Sequence, residues 1–456
     1  MFLGISKAMF VRLAWVALTF GGVQFLRLIN NVVLTRLLDP AVFGIMALVL
    51  ALRVGLELVT DVGVSQNIIS NPRGDNPDFY DTAWTLQLVR NLALVIICIA
   101  LARPTASFFH SEQLARILPV ASIFFIFSGL ESTSRGLLRK QLRIARLGIF
   151  EIALAVISLI AQVSAALAFR NVWAVVIGMM ISSASIMIVT YLYLPGIRHR
   201  IIIDRQSAHE LFHFGKWVFF SSMVYFFAMN FDRLYFAKQI TLAELGVYGI
   251  ARNLADVVSQ LVARASGSVL YPSVAAAGLE PMQLRQRLLR GRRVMLALAA
   301  AGVGVFLSLS HLIIGLLYDP RYEGAAIILP ILCVGVWFSI LTSCNDSILM
   351  GLGRPAFPAF SNAGKLATYI IGMPLAFYYS GFIAAVAVIA SGELVKYVVL
   401  WAFTRREHFH FGRDDLVLTI FFGLVALVAH HILVIAGLGG GVQQIHLRSL
   451  LEAVSI

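Results

Sequence analysis

Residues 172–194 read VWAVVIGMMISSASIMIVTYLYL, a run of apolar and small side chains without a single charge. An α-helix needs about 20 such residues to cross the ~30 Å hydrocarbon core of a membrane, and comparable runs recur along the whole chain. Hydrophobic residues make up 59% of the sequence and charged residues only 13%, whereas a soluble domain carries about 25% charged residues. The mean hydropathy is +0.86. The sequence therefore predicts an all-α, polytopic membrane protein.

Thirteen membrane spans are predicted, and they group into two lobes and a C-terminal extension. The spans are residues 12–33, 41–62, 82–102, 117–136, 148–169, 172–194, 214–236, 244–267, 294–317, 325–350, 357–379, 381–403 and 414–436. The first six form an N-terminal lobe (1–205) and the next six a C-terminal lobe (206–404), each a six-helix bundle of a twelve-helix core. An extra span and a tail follow (405–456). No small-residue cleavage site follows the first span, so we interpret it as a retained helix rather than a signal peptide.

The distribution of basic residues predicts the orientation. Placing the N-terminus in the cytoplasm puts 21 Lys and Arg residues in the inner loops, 7 in the outer loops and 8 inside the spans. Cytoplasmic loops of membrane proteins carry such an excess. The same bias explains most of the net charge of +13. We therefore expect membrane lipids, not nucleic acid, as the partners of the basic loops.

The sequence lacks the usual catalytic and metal-binding motifs. The loops are too short for a catalytic domain, and Cys98, Cys333 and Cys344 all lie in apolar spans. No glycine-rich phosphate loop, nucleophile elbow or HExxH motif occurs. His408 and His410 stand beside basic residues and are interpreted as interfacial. We expect no enzymatic activity, no metal and no cofactor, and an ATP-driven pump is disfavoured.

The two predicted lobes share a weak internal repeat. Residues 36–44 (RLLDPAVFG) follow a pair of asparagines and lead into the second span. Residues 238–246 (KQITLAELG) follow Asn230 and Asp232 and lead into the eighth span. Aligning Gly44 with Gly246 gives an offset of 202 residues, or six spans. Transporters with parallel repeats bind substrate between their halves, near the midplane of the membrane.

Several motifs in order along the chain carry a family resemblance. They are VLTRLLDPAVFG at 33–44, DVG at 61–63, LGVY at 245–248 and GLGR at 351–354. Together they resemble the polysaccharide-type flippases of the multidrug/oligosaccharidyl-lipid/polysaccharide exporter superfamily. The resemblance covers roughly residues 1–400 and includes the twelve-span core, whereas the thirteenth span departs from the even-numbered layouts of the family.

The resemblance implies a function. It implies a flippase of the bacterial inner membrane that moves undecaprenyl-pyrophosphate-linked oligosaccharide by alternating access, for exopolysaccharide, capsule or O-antigen (lipopolysaccharide) synthesis. A polysaccharide polymerase and export machinery are candidate partners. In the related lipid II flippases, arginines on the first, second and eighth spans line the central cavity. Arg27, Arg53, Arg252 and Arg264 occupy those spans here.

Charged residues inside the spans are the candidate site. A charge at the bilayer centre costs roughly 2.5–3.5 kcal/mol on insertion scales. Local pairs are predicted for Arg53 with Glu57, for Arg252 with Asp256 and for Glu393 with Lys396. The other bases (Arg27, Arg90, Arg264 and Lys365) have no acid within one turn of their own helix. This imbalance predicts a basic cavity for the pyrophosphate, because the guanidinium fork matches phosphate oxygens.

Two sets of site residues follow. The predicted substrate-binding residues are Arg27, Arg53, Arg252, Arg264, Gln24, Asn31, Asn230, Arg90 and Lys365, with the amides facing sugar hydroxyls. The predicted ion-coupling residues, for H⁺ or Na⁺, are Asp61, Asp232, Asp256, Asp346 and Glu393, because an intramembrane carboxylate is a relay candidate. Two alternatives remain. A multidrug or organic-cation exporter would expose acids and aromatics, and a membrane-embedded polysaccharide polymerase would need a large catalytic loop.

Overall fold

The computed structural model describes residues 7–60, 64, 68, 71–135, 138, 144–193, 199–275, 281–352, 354, 356–406 and 411–436. Within these residues the regular structure is helical throughout and no strand occurs. The helices are α1 (Lys7–Leu37), α2 (Pro40–Val59), α3 (Pro77–Phe108), α4 (Glu112–Ala121), α5 (Ile123–Leu130), α6 (Ile144–Phe169), α7 (Val172–Tyr193), α8 (Arg205–Gln239), α9 (Leu242–Ala275), α10 (Pro281–Ser308), α11 (Ser310–Leu317), α12 (Ala325–Gly351), α13 (Ala356–Arg406) and α14 (Gly412–Ile435). The predicted all-α fold is confirmed.

Each predicted span corresponds to helical structure, but four of them differ from a single separate helix. The fourth span is divided at Ser122 into α4, which contains Pro119, and α5. The ninth comprises α10 and α11. The eleventh and twelfth form the two halves of α13, joined at Gly381, whose φ of 75° favours glycine. Among the described residues, nine helical stretches are long and apolar enough to cross a membrane, as expected of a multi-pass membrane protein.

The chain divides into two compact units, which we call the N-terminal unit (Met1–Gly246) and the C-terminal unit (Val247–Ile456). In the N-terminal unit α6 packs against α1 and α7, α2 against α8, and α3 against α4 and α5. A cluster around Leu34, Leu38 and Ala166 fills the space between α1, α6 and α7. The lobe boundary at residues 205/206 stays a prediction.

Two glycines let the starts of α2 and α9 touch backbone to backbone. A Cβ atom on Gly44 would lie 1.9 Å from the carbonyl oxygen of Leu242, and one on Gly246 would lie 2.1 Å from that of Pro40. The contact is reciprocal, because each glycine lies against the residue four positions before the other. These are the two glycines that the internal repeat aligns, so the two copies of the motif contact each other through equivalent residues.

In the C-terminal unit the thirteenth span is part of the helical core. Helix α14 packs against α10, and α12 packs against α10 and α13. Trp337 of α12 is buried, donates a hydrogen bond from Nε1 to Thr419 Oγ1 (3.0 Å) and stacks on Phe422 with ring centroids 5.3 Å apart. Burial of so large a ring against α14 stabilises the packing of this helix in the C-terminal unit.

Candidate functional site

Six charged side chains on α9, α12 and α13 form what we call the charge cluster of the C-terminal unit. They are Arg252, Asp256, Asp346, Lys365, Glu393 and Lys396. Glu393 is at its centre, since the charges of Lys365, Lys396 and Arg252 all act on it. Five of the six were predicted as site residues, and Lys396 was predicted only as a local partner. The structure brings all of them into one group.

The shortest contact of the charge cluster joins the two halves of α13. Lys365 Nζ lies 2.5 Å from Glu393 Oε1, and both side chains are buried. The ammonium also lies 5.4 Å from the centre of the Tyr369 ring, within the range of a cation–π contact. Residues 28 positions apart meet because the chain folds back at Gly381.

The contacts of the two lysines go beyond local spacing. Lys365, which has no acid within one turn of its own helix, contacts Glu393 across the bend of α13. Glu393 was expected to pair with Lys396 on its own helix, but Lys396 Nζ contacts Asp346 Oδ2 of α12 at 3.2 Å. Packing of α12 and of the two halves of α13 makes these contacts, which local spacing does not indicate. The predicted pair of Arg252 with Asp256 is confirmed, at 3.2 Å.

The charge cluster is balanced, with three bases and three acids. Desolvating ions costs several kcal/mol each, and only close opposite charges and hydrogen bonds offset that cost. The charges therefore depend on one another, and neutralising one acid leaves a base without compensation inside the unit. Asp346 is the more accessible of the two lysine-bound acids, with 23% of its side chain exposed against 9% for Glu393.

In the N-terminal unit the predicted base Arg53 contacts both an acid and an aromatic ring. Its Nε lies 3.4 Å from Glu57 Oε1, which confirms the predicted local pair. Its guanidinium carbon lies 3.2 Å from the centre of the Phe124 ring. The side chain borders an apolar cavity within this unit, which is lined by Met46, Val49, Arg53, Cys98, Leu118, Ala121, Phe124, Phe125, Val176, Met179 and Met180. A cation over an aromatic face in such surroundings is held by the ring as well as by the acid.

The other predicted residues are distributed over both units. Arg27 and Arg264 are exposed on the surfaces of their helices, although both helices are rich in apolar side chains. Gln24, Asn230 and Asp232 are buried, and Asn230 Nδ2 donates to the carbonyl of Phe226 (3.1 Å). Asn31 and Arg90 are half-buried. Asp61, His408 and His410 lie outside the described residues. Substrate binding and ion coupling stay predictions for all of these residues.

The sequence analysis missed a second ionic group. Arg292 was counted among the cytoplasmic loop residues, but it lies within α10 and is 1% exposed. Its Nη1 contacts Asp415 Oδ1 of α14 at 2.5 Å, and its Nη2 donates to Asn345 Oδ1 (3.2 Å). Tyr397 donates its hydroxyl to Asp415 Oδ2 (2.9 Å). Arg292 and Asp415 are 123 residues apart, so no local spacing identifies the pair.

This ionic group is adjacent to the charge cluster. Asn345 and Tyr397 contact the Arg292–Asp415 pair, while their sequence neighbours Asp346 and Lys396 contact each other in the charge cluster. Each of the two helices therefore contributes one residue to each group: α12 contributes Asn345 and Asp346, and α13 contributes Tyr397 and Lys396. As a result α14 supports the two helices that hold the cluster.

A chain that crosses a membrane repeatedly and pairs charges inside apolar helices has the make-up of a polytopic transport protein. Its fold matches that of known transporters. The lipid II flippase MurJ in its inward closed conformation superposes with a TM-score of 0.72 at 15% identity, covering 92% of this chain and 98% of that chain. An inward-facing multidrug resistance MATE family transporter of the MOP superfamily gives 0.62 at 13% identity, covering 90% and 99%.

Sequence comparison identifies the family. Residues 33–327 match the family described as polysaccharide biosynthesis protein, and the chain belongs to that family. The lipopolysaccharide biosynthesis protein WzxC of Escherichia coli (strain K12) is 20% identical over 349 residues, which are 75% of this chain and 69% of WzxC. The succinoglycan biosynthesis transport protein ExoT of Rhizobium meliloti (strain 1021) is 20% identical over 356 residues, 77% of this chain and 71% of ExoT.

Proposed function

We propose that this protein is a flippase that moves undecaprenyl-pyrophosphate-linked oligosaccharide across the inner membrane by alternating access. The product would serve exopolysaccharide, capsule or O-antigen synthesis, with a polysaccharide polymerase and export machinery as downstream partners. The excess of basic residues in the predicted inner loops supports a cytoplasmic N-terminus. Membership of the polysaccharide biosynthesis family, and relatives named for lipopolysaccharide and succinoglycan biosynthesis, support the substrate class.

The observation that carries the proposal is the exposure of Arg27 and Arg264. Each lies on the surface of a largely apolar helix, where a charge is expensive unless it faces water, an opposite charge or a polar ligand. A lipid-linked pyrophosphate supplies such a ligand, and guanidinium groups bind phosphate oxygens through two parallel hydrogen bonds. In this proposal Arg27 of the N-terminal unit and Arg264 of the C-terminal unit each contact the pyrophosphate during transport, and the half-buried Asn31 contributes a polar contact to the sugars.

The charge cluster is proposed as the coupling element. A proton or Na⁺ arriving at Asp346, the more exposed acid, would weaken its contact with Lys396. The released ammonium would then compete for Glu393, because the charge of Lys396 already acts on that residue. Entry of a single cation would therefore change which charges pair between α12 and α13. A carboxylate that exchanges partners in this way suits a relay inside a membrane.

The first test is the pool of lipid-linked oligosaccharide in cells that lack the gene. We expect a pyrophosphate-linked repeat unit to accumulate on the cytoplasmic side, where mass spectrometry identifies it and its accessibility to an added glycosidase reports its side. Normal pools together with lost resistance to cationic dyes would instead support the organic-cation exporter.

Arginine variants in the same cells test the site. We expect Arg27→Ala and Arg264→Ala to lower polysaccharide export about tenfold or more at normal protein levels, since a hydrogen bond to a charged group is worth roughly 1.5–3 kcal/mol. Arg27→Lys should restore part of the export. Arg36→Ala is the matched control, because Arg36 lies exposed at the end of the same helix. Undiminished export by Arg27→Ala would show that this arginine does not hold the substrate.

A further inference from the structure

His199 lies at the centre of a hydrogen-bonded group in the N-terminal unit. Its Nδ1 is 3.1 Å from Asp81 Oδ1 of α3, and its Nε2 is 2.9 Å from Ser132 Oγ, just after α5. The backbone N–H of Thr133 also donates to Nε2, at 3.3 Å. The imidazole stacks on Trp84 with the rings 5.1 Å apart and nearly parallel. We call Asp81, Ser132, Thr133 and His199 the His199 clasp.

The order Ser132, His199, Asp81 matches that of a nucleophilic triad, but the surroundings argue against catalysis. Ser132 is buried, and the His199 side chain is 1% exposed. The Thr133 N–H points at the imidazole, so it is not available to stabilise an oxyanion. Ser132 Oγ is also within 2.6 Å of Ser134 Oγ. A substrate carbonyl could not reach this hydroxyl, and the group is therefore structural.

The hydrogen bonds fix the protonation state of the ring. A backbone N–H is only a donor, so the Thr133 hydrogen bond requires an Nε2 without a proton, and the Ser132 hydroxyl can then donate to the same nitrogen. The single ring proton is then on Nδ1, where it is donated to Asp81. A second proton on Nε2 would face the Thr133 N–H, donor against donor. The clasp is therefore complete only with a neutral His199.

The clasp holds the chain segment that leads into α8. After His199, the N–H of Ile202 donates to Thr85 Oγ1 (3.2 Å) and the N–H of Asp204 donates to Thr82 Oγ1 (2.9 Å), so residues 199–204 follow one face of α3. Asp204 then caps α8 by accepting from the Ser207 N–H (2.8 Å). Release of His199 would therefore loosen the start of α8.

Among the groups around the clasp, His199 is the one whose ordinary pKa lies closest to neutral pH. Burial holds the pKa of His199 below its ordinary value of 6.5, and the opposing pull of Asp81 is weaker. The other titratable groups against the ring are Tyr80 and Tyr191, at 6.0 and 6.2 Å between centroids. A tyrosine hydroxyl ordinarily loses its proton only at about pH 10, so neither ring changes its charge in this range.

The acids that adjoin the segment also keep their charge through that range. Hydrogen bonds from the Ser207 hydroxyl and N–H lower the pKa of Asp204, helped by Arg73. A hydrogen bond from Asn71, together with Arg73 and Gln206, lowers the pKa of Glu210. A change of the segment just below pH 6.5 therefore reports His199.

We propose that the His199 clasp is a pH-sensitive latch, closed when His199 is neutral and released when it takes up a second proton. Because the native state disfavours the proton, the stability of the closed latch is fully present above pH 6.5. It is lost as the pH falls from 6.5 through the lowered native pKa of His199. The predicted topology places the latch at the cytoplasmic face, where it would respond to acidification of the cell interior.

Amide hydrogen exchange of the full-length protein in detergent micelles tests the latch. The reporters are the N–H groups of Ile202 and Asp204, and that of Trp173, which donates to Asn171 Oδ1 (3.0 Å), is the internal reference. After correction for intrinsic exchange, we expect reporter exchange to rise up to about tenfold for each pH unit below 6.5, until the native pKa is reached. A flat profile would overturn the proposal.

Two variants make the test specific. His199→Gln keeps a carbonyl that can accept from Thr133 but cannot take up a proton in this range, so its reporters should lose the acid dependence. Asp81→Asn removes the charge that favours the imidazolium, so the transition should move to lower pH. The latch is excluded if His199→Gln retains the wild-type acid dependence. If His199→Gln fails to fold, Asp81→Asn still tests the latch: the latch is excluded if the acid-induced rise in reporter exchange occurs at the same pH in Asp81→Asn as in the wild type.

Discussion

The two units stabilise polar groups inside apolar helices in different ways. In the C-terminal unit the buried Arg292 meets the buried Asp415 as a pair of full charges. In the N-terminal unit a neutral ladder joins α1, α6 and α7: Asn30 donates to Gln162 (2.9 Å), Gln162 donates to Ser158 (3.0 Å), and Ser182 also donates to Ser158 (2.9 Å). The first arrangement fails as a whole when one charge is removed, whereas the second loses one bond at a time.

The difference has an energetic basis. Leaving a buried ion without its partner costs about 3–5 kcal/mol, whereas a neutral hydrogen bond contributes about 0.5–1.5 kcal/mol. The C-terminal unit therefore depends strongly on a few residues, and those residues lie next to the proposed coupling element. The N-terminal unit spreads its polar contacts over several groups of small individual effect. Substitutions that neutralise one partner should separate the two kinds of contact.

The largest effect is expected for Asp415→Asn. It leaves the buried guanidinium of Arg292 without a counter-charge, and arginine cannot lose its proton in a protein. We expect a loss of about 3–5 kcal/mol in the free energy of unfolding, measured by chemical denaturation of the purified protein. Asp414→Asn is the matched control, because its partner Arg293 is 54% exposed and stays hydrated when the carboxylate is lost, so we expect a loss of only about 0–1 kcal/mol. Equal losses for the two variants would show that burial does not determine how much the pair of Arg292 and Asp415 contributes.

A smaller loss is expected for Glu393→Gln. The buried Lys365 would lose its carboxylate partner, but lysine can release a proton when it is desolvated. We therefore expect a loss on the order of 2 kcal/mol, below that of Asp415→Asn. Adding Lys365→Met should recover most of the stability, because an apolar side chain replaces the buried ion.

The same double variant separates stability from coupling. If the charge cluster couples ion entry to transport, Glu393→Gln with Lys365→Met should fold normally and yet fail to restore polysaccharide export. Normal export by this variant would show that the pair of Lys365 and Glu393 serves stability alone. Export measured at matched protein levels therefore decides between the two roles.

Sequence could predict local relations and could not predict those made by packing. Hydropathy predicted thirteen spans because each helix carries its own apolar length, and spacing predicted Arg53 with Glu57 because both lie on one helix. Lys365 with Glu393, Lys396 with Asp346, and Arg292 with Asp415 arise between helices or across a bend. A single sequence contains no signal for such distances. The internal repeat did indicate one contact between helices, because the two glycines that it aligns, Gly44 and Gly246, lie where the starts of α2 and α9 touch.

The smallest effect is expected for Gln162→Leu in the N-terminal ladder. It removes the acceptor of Asn30 and the amide that reaches Ser158, but Gln162 is half-buried and Ser158 still receives the hydroxyl of Ser182. We expect a loss of about 0.5–1.5 kcal/mol in the same denaturation assay. Ser185→Ala is its control, because that hydroxyl donates only within its own helix, to Ile181, and its loss should be near zero. A single neutral hydrogen bond cannot supply as much energy as a buried ion pair. A loss for Gln162→Leu as large as that of Asp415→Asn would therefore mean that the hydrogen bonds of the ladder break together.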